Sequence, residues 1–173
     1  MTEQPLTSGT NLRSFLLLEK LDVDYLGEIW KAQHSRSREI VSARILHSEL
    51  TADPESRAAF LAEAMAACKL DHPVIARVQE AIEIDNLVLI ASEPISGQPL
   101  NEVIGANPLS GQVMARFATG IAEALVYAHE HEVIHGCLRP GFVVTGEEGA
   151  LRVGGFGTGR RSALLPQARQ SLG

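Results

Sequence analysis

The order of apolar and polar positions divides the chain into a first part typical of strands and a second part typical of helices. Short, partly alternating apolar runs predict half-buried antiparallel strands at 15–21, 27–33, 39–46, 74–84 and 87–92. One helix interrupts these strands at 51–70. Asp53 can cap its first turn, and Pro54 takes a position at which helices tolerate proline.

A segment rich in proline and glycine, residues 93–100, separates the two parts. After it, Ser110 begins a helix over 110–131 in which apolar residues recur every three or four positions. A short hairpin of 142–144 with 151–153 follows. The α+β organisation predicted is a flexible terminus at 1–12, a first lobe at 13–92, a hinge at 93–100, a partial second lobe at 101–160 and a tail at 161–173.

Composition narrows the class of protein. The chain has 173 residues, 45% of them apolar, with a net charge of −6, which excludes a disordered chain and disfavours a nucleic-acid partner. No apolar run reaches the roughly 18 residues of a membrane span, so we expect no membrane partner and a cytoplasmic location. Cys68 and Cys137 show no pairing pattern and suit a reducing compartment.

Several short motifs, in order, resemble the protein kinases of the bacterial serine/threonine type. VSARIL resembles the family's third strand, FLAEAMAACKLDHPVI its αC helix, HGCLRP its HRDLKP loop and GGFG its DFG motif. The spacings also agree, with 19 residues from Arg44 to Glu63 and 20 from His135 to Gly155. The resemblance implies a two-lobed fold: a five-stranded antiparallel N-lobe with the αC helix, joined by a hinge to a truncated helical C-lobe.

The resemblance also indicates what the catalytic positions hold. Cys137 stands where the family has its general-base aspartate, and a thiol cannot orient a substrate hydroxyl as a carboxylate does. Phe142 and Gly155 stand at the two metal-ligand positions and offer no side-chain oxygen to a hard cation. We therefore predict no catalytic residue and no metal site.

The nucleotide-contacting positions are partly altered. Of the family's glycine-rich loop only Gly27 remains, because Asp22 and Asp24 stand at the first two glycine positions. Arg44 replaces the lysine that contacts the phosphates, and the resemblance implies an ion pair between Arg44 and Glu63.

The hinge could still bind an adenine ring. Backbone groups of Glu93 and Ile95 occupy the positions that the family uses for this, although Pro94 has no N–H. A remnant pocket made by Gly27, Arg44, Glu63, Glu93 and Ile95 could bind ATP without Mg²⁺, and the other interpretation is that no cofactor binds.

Residues that support the scaffold are present. His135 and Phe156 are retained, and in the family these two side chains stack in the packed column that links the lobes. We expect His135 to be a buried, hydrogen-bonded structural histidine.

Together these observations favour a pseudokinase that acts as a non-catalytic interaction or regulatory module in bacterial signalling. The alternatives are a weakly active serine/threonine kinase and a nucleotide sensor that does not need Mg²⁺. Because the chain ends soon after GGFG, the resemblance implies an incomplete C-lobe whose helix at 110–131 exposes an apolar face. We expect a protein partner or a second copy of the chain to cover that face.

Overall fold

A six-stranded antiparallel sheet forms the first lobe of the computed structural model, which describes residues 5–106, 109–146 and 149–158. The strands are β1 (Asn11–Leu12), β2 (Phe15–Val23), β3 (Gly27–His34), β4 (Ile40–Leu46), β5 (Val78–Ile84) and β6 (Leu87–Ser92). Their order across the sheet is β1-β2-β3-β4-β6-β5, so each strand up to β4 pairs with its neighbour in sequence. Asp85 and Asn86 form the β5–β6 turn, both with positive φ.

The sheet has one strand more than the five predicted. The additional strand, β1, lies within the segment 1–12 that the sequence indicates as flexible. Asn11 pairs with Leu16 and Leu12 with Phe15, and the Leu12 side chain is buried. Two residues are too few for an alternating pattern to appear in the sequence, which is why β1 was not predicted.

One long helix packs against this sheet. A single helical turn, α1 (Ser48–Thr51), precedes α2 (Pro54–Ala67), which confirms the helix predicted within 51–70. The Asp53 carboxylate accepts the Ser56 N–H at 2.7 Å, as predicted for the cap. The side chains of Phe60, Ala64 and Ala67 are buried, so this face of α2 joins the core.

The second lobe combines helices with a small sheet. Its elements are β7 (Gln98–Pro99), α3 (Leu100–Ala106), α4 (Gly111–Glu130), a 3₁₀ turn (Pro140–Phe142), β8 (Val143–Thr145) and β9 (Leu151–Val153). Strands β7, β8 and β9 form an antiparallel sheet, in which β8 and β9 are the predicted hairpin. The last residues of the predicted hinge belong to β7 and α3, and the predicted tail at 161–173 lies outside the described residues.

Helix α4 packs its apolar stripe onto the rest of the chain. The Ser110 hydroxyl accepts the Val113 N–H at 3.3 Å and caps the helix. Phe117, Ala124 and Ala128 are buried, whereas Met114 and Val126 remain 54% and 57% exposed. The stripe is therefore covered from within, and Val126, two positions from both Ala124 and Ala128, lies on the opposite face of the helix. Coverage of α4 by a partner stays a prediction.

A backbone connection joins the two lobes. Ile75, just before β5, forms a parallel bridge with Val153 of β9. The Ala76 N–H donates to the Val153 carbonyl at 2.9 Å, and the Val153 N–H donates to the Val74 carbonyl at 2.7 Å. One hydrophobic core accordingly runs from α2 through this connection to α4, β8 and β9. None of the described helices is both long and apolar enough to cross a membrane.

Candidate functional site

A cleft of about 290 Å³ lies between the lobes. Leu21 and Ile29 cover it from the first lobe, and Phe142 and Val144 line it from the second. Ser92 and the first three residues of the predicted hinge, 93–95, also line it. The mainly apolar walls suit a flat ring, which can be bound by contact with such side chains and oriented by a few backbone groups.

The hinge is fixed in place by polar contacts. The Glu93 N–H donates to the Arg77 carbonyl at 2.9 Å, and the Glu93 carboxylate contacts the Arg152 guanidinium. Arg152 belongs to β9, so its contact with Glu93 ties the hinge to that strand, and it also donates to the Pro73 carbonyl at 2.6 Å. Glu93 and Ile95 both line the cleft, in the places that the sequence predicts for a ring-binding hinge.

Phe142 and Gly155, at the two positions where the family resemblance implies metal ligands, contact each other on the second-lobe side of the cleft. Gly155 has φ +81°, and a Cβ at this position would lie 2.7 Å from Cδ1 of Phe142. The ring thus occupies the space into which a side chain at residue 155 would extend. The two positions contribute aromatic carbon and bare backbone, so their side chains provide no oxygen ligand.

His135 forms the expected structural contact beside this pair. It is 2% exposed, its Nε2 lies 2.9 Å from the Gly154 carbonyl, and its ring centroid is 4.6 Å from that of Phe156. Burial lowers the pKa of His135 below its ordinary value, because desolvation disfavours the imidazolium. The prediction of a buried, hydrogen-bonded histidine is confirmed.

Cys137 stands apart from the cleft. Its side chain is half-buried, and Sγ lies 3.9 Å from Nδ1 of His135. A catalytic thiolate is usually activated by a nearby positive charge. Since burial disfavours the charged form of His135, that imidazole is poorly suited to supply one.

Arg44 points to a different carboxylate from the one predicted. Its Nη1 lies 2.7 Å from Oδ1 of Asp24, in a salt bridge whose side chains are 12% and 8% exposed. The carboxylate against the Arg44 guanidinium is therefore that of Asp24, not that of Glu63, which is half-buried on α2. The β2–β3 turn leads into β3, which pairs with β4, and this places Asp24 beside Arg44 of β4.

Gly27 is needed for the sheet itself. A Cβ on Gly27 would lie 2.0 Å from the Ile45 carbonyl oxygen, so the close approach of β3 to β4 requires glycine here. Its N–H donates to the Asp24 carboxylate at 3.2 Å, and the Leu26 N–H does so at 2.9 Å. The β2–β3 turn is thus organised around its own aspartate.

Sequence reasoning missed the cluster that Asp24 forms with Arg139. Nη2 of Arg139 lies 3.4 Å from Oδ2 of Asp24, although the two residues are 115 positions apart in the chain. The sequence indicates Asp24 only as a substitute for glycine in the family's loop and gives no sign of a role for Arg139. No local pattern links them, and only the folded arrangement of the lobes reveals the contact.

Phe142 and Gly155 do not fit a magnesium ion at the two positions where the family resemblance implies its ligands. Phe142 and Gly155 provide no side-chain oxygen, and their contact leaves no space between them. Over residues 5–106, 109–146 and 149–158, no three His, Cys, Asp or Glu residues are grouped so that they could hold a metal ion.

Comparison with protein families decides the classification. Residues 20–170 match a family model described as Protein kinase domain. This chain belongs to that family. The kinase-like fold predicted from the motifs is confirmed, with a first-lobe sheet of six strands instead of five.

Relatives of this kinase domain include bacterial serine/threonine kinases. The serine/threonine-protein kinase PknF of Mycobacterium tuberculosis is 31% identical over 139 residues, which are 79% of this chain and 29% of PknF. PknA of the same organism is 29% identical over 156 residues, covering 85% of this chain and 36% of PknA. The chain thus spans only about a third of the length of these curated relatives.

Solved structures of kinase domains resemble the whole fold. The PknI kinase domain of M. tuberculosis superposes with a TM-score of 0.78 at 27% identity, covering 90% of this chain and 63% of that domain. A double mutant of the same domain gives a TM-score of 0.79 at 26% identity, covering 91% and 66%. Both lobes of this chain therefore have the kinase-domain arrangement.

Proposed function

We propose that this kinase-domain chain is a pseudokinase, a non-catalytic interaction or regulatory module in bacterial signalling. The observation that carries the proposal is the contact between Phe142 and Gly155. These residues stand where the family resemblance implies two metal ligands. The Phe142 ring occupies the space that a side chain at residue 155 would need, and it fits there because residue 155 is glycine.

Phosphoryl transfer depends on this part of the cleft. The reaction requires positioning and neutralisation of charge on the transferred group, which divalent cations held by oxygen ligands provide. A phenyl ring against a glycine Cα offers no such ligand. An aspartate at residue 155 would first have to displace the Phe142 ring, so a single substitution is poorly suited to restore the site.

The general-base position supports the same proposal. Cys137 is half-buried and lies 3.9 Å from a histidine whose pKa is lowered by burial. PknF and PknA carry the name of serine/threonine kinases, but the chain spans only part of each of them. The activity in their names is accordingly not transferred to this chain.

A phosphotransfer assay tests the proposal. The purified chain is incubated with radiolabelled ATP, Mg²⁺ or Mn²⁺ and a general protein substrate, beside an active serine/threonine kinase domain as positive control. We expect no transfer above the rate without protein. Metal-dependent transfer that increases with the amount of this chain would contradict the proposal and favour a weakly active kinase.

A second candidate function, a nucleotide sensor that does not need Mg²⁺, is favoured by the cleft itself. Its hinge residues Glu93 and Ile95 line a space of about 290 Å³ with mainly apolar walls. Thermal melts with ATP in EDTA and in Mg²⁺ separate the candidates. Ligand at about 100 times its Kd stabilises the fold by about 2.7 kcal/mol, and each kcal/mol moves Tm by roughly 2–4 °C at this length.

Each outcome of the melt has a defined meaning. A rise of roughly 5 °C or more in EDTA supports the sensor. A rise that occurs only with Mg²⁺ supports the kinase and contradicts our interpretation of Phe142 and Gly155. No rise in either buffer supports a scaffold with an empty cleft.

The partner is proposed to be another protein or a second copy of the chain. Met114 and Val126 of α4 are more than half exposed, which suits a contact surface. Size-exclusion chromatography with light scattering distinguishes the two, because only self-association raises the mass of the purified chain with concentration.

A further inference from the structure

Asp24 is the point at which cationic groups of both lobes converge. Its carboxylate is 8% exposed and lies 2.7 Å from Nη1 of Arg44, in the first lobe, and 3.4 Å from Nη2 of Arg139, in the second. The N–H groups of Leu26 and Gly27 complete the set of donors at 2.9 and 3.2 Å.

Two guanidinium groups and two successive backbone N–H groups form a donor set suited to an oxyanion. Guanidinium groups bind carboxylates and phosphates through charge-assisted hydrogen bonds, and turns with consecutive N–H groups also favour anions. Here the anion is supplied by the same turn of the chain. With Asp24 charged, the two arginines keep one unbalanced positive charge; without it, they would have two.

Arg139 is held between the lobes by aromatic rings as well. Its Cζ lies 5.1 Å from the centroid of Tyr25, beside Asp24 in the β2–β3 turn, and 4.9 Å from the centroid of Phe142 in the second lobe. The turn is thus attached to the second lobe through one guanidinium, by a salt bridge and by stacking. His47 adds a further contact, since its Nε2 lies 2.9 Å from the Asp24 carbonyl.

The position of Arg44 connects this cluster to the cleft. Arg44 lines the cleft and at the same time contacts Asp24. The Asp24 carboxylate therefore already occupies the guanidinium group that an anionic ligand in the cleft would bind. A phosphate chain entering from the hinge would have to displace Asp24 from Arg44 and Arg139, or remain beside a carboxylate of like charge.

We propose that Asp24 is an internal anion, which latches the β2–β3 turn onto the second lobe and keeps polyphosphate ligands off Arg44 and Arg139. The inference deepens the proposed non-catalytic function, on which it rests, by assigning a residue that makes the cleft select against charged phosphate chains. Neutralising Asp24 converts the same donors into a binding site for an oligophosphate.

The test compares two variants that each remove one negative charge, from Asp24 in the β2–β3 turn or from Asp22 near the end of β2. Asp24→Asn loses the carboxylate that contacts both arginines, whereas Asp22→Asn loses an exposed carboxylate that accepts the neighbouring Val23 N–H at 2.8 Å. Titration calorimetry with inorganic tripolyphosphate in EDTA measures binding to each. We expect Asp24→Asn to bind at least about tenfold more tightly than the wild type, and Asp22→Asn to behave like the wild type.

A double variant shows whether any gain in tripolyphosphate affinity depends on Arg139. Asp24→Asn combined with Arg139→Gln is expected to lose most of the added affinity, because one of the two cations is gone. Circular dichroism melts confirm that each variant folds. Equal affinity in the wild type and a folded Asp24→Asn variant would overturn the proposal, as would an equal gain in Asp22→Asn, which would trace the effect to net charge alone.

Hydrogen exchange tests the latch separately. In Arg139→Gln, the amides of Leu26 and Gly27 are expected to exchange several-fold faster than in the wild type, since the turn loses its attachment to the second lobe. Unchanged exchange would overturn the latch.

Phosphotransfer is measured on the same preparations. Transfer by the wild type would contradict the proposed function without affecting the tripolyphosphate comparison. A folded Asp24→Asn variant that gains no affinity would contradict only the role of Asp24.

Discussion

Two aromatic contacts join the segment 135–142 to the segment 154–157, and they differ in kind. In the first, His135 stacks edge-on against Phe156 at 4.6 Å and lies within hydrogen-bonding distance of the Gly154 carbonyl. In the second, the ring of Phe142 fills the space beside the Gly155 Cα. The contacts are adjacent, since the rings of His135 and Phe142 are 5.6 Å apart.

The difference shows that packing and chemistry depend on separate atoms of the same two segments. The His135–Phe156 contact belongs to the scaffold that the family resemblance predicts. The Phe142–Gly155 contact presents carbon at the two positions where the family resemblance implies oxygen ligands, in a chain whose fold is similar to a solved kinase domain. The packing between the two segments therefore does not depend on oxygen-bearing side chains at residues 142 and 155.

Removing the scaffold contact should have the largest effect. Phe156 is 1% exposed, so Phe156→Ala leaves a cavity and is expected to lower the free energy of unfolding by about 3–5 kcal/mol. Urea denaturation measures the change. Met114→Ala, at a side chain 54% exposed, is the control and should alter stability by less than about 1 kcal/mol. A similar loss in the free energy of unfolding in both variants would show that the His135–Phe156 contact contributes no special stability.

Filling the second contact should have the next largest effect. Gly155→Ala adds a Cβ at positive φ against the Phe142 ring and is expected to destabilise the fold by about 1–3 kcal/mol. In a Phe142→Leu background the same substitution should be less harmful, because the ring clash is removed. Gly105→Ala, where a Cβ meets nothing within 4 Å, is the matched control and should be neutral or stabilising. An equal effect of Gly155→Ala in both backgrounds would show that the two residues do not interact.

The pH dependence of stability examines the His135 contact alone. Because burial lowers the pKa of His135 in the folded state, the unfolded state takes up a proton first as the pH falls below about 6.5. Stability should therefore be unaffected by this group above that pH and decrease below it, by at most about 1.4 kcal/mol per pH unit. Chemical denaturation between pH 7.5 and 5.5 measures the slope. His135→Gln should have a shallower slope, and an unchanged one would assign the effect to other groups.

The smallest effect is expected at Cys137. Cys137→Asp restores the carboxylate of the family's general base but leaves the Phe142–Gly155 contact intact. We expect no phosphotransfer above the wild type, and a change in stability of less than about 1 kcal/mol for this half-buried position. Measurable Mg²⁺-dependent transfer by this variant would mean that the ligand positions are not the deciding loss.

The elements that the sequence predicts are those with a local signal. The β6 residues form a continuous apolar run, and Asp53 and Pro54 mark the start of α2, so these elements are found where their patterns place them. Strand β1 gives no such signal, because two residues hold too few positions for a period. The scaffold role of His135 was also accessible, since the motif around it is recognisable.

The candidate site was predicted only in part. Glu93 and Ile95 line the cleft, whereas their binding of an adenine ring stays a prediction. The side chains at residues 142 and 155 could be read directly from the sequence. The partner of Arg44 could not. The family spacing favours Glu63, whereas the salt bridge of Arg44 at 2.7 Å is with Asp24 of the β2–β3 turn. Contacts such as that of Asp24 with Arg139 depend on how the two lobes pack against each other. The spacing of apolar residues within either lobe does not predict such a contact.

The bridge between Ile75 and Val153 has a consequence for the order of folding. The strands from β1 to β4 pair with their sequence neighbours, whereas this bridge closes a loop of 78 positions, from 75 to 153. Contacts between distant parts of a chain form more slowly, because closing the loop costs conformational entropy before any hydrogen bond can offset that cost. During synthesis, most of the first-lobe sheet can form before the ribosome has released the second-lobe residues that line the cleft. A ribosome-bound chain that has not yet released residue 153 would therefore carry a nearly finished first lobe and no cleft.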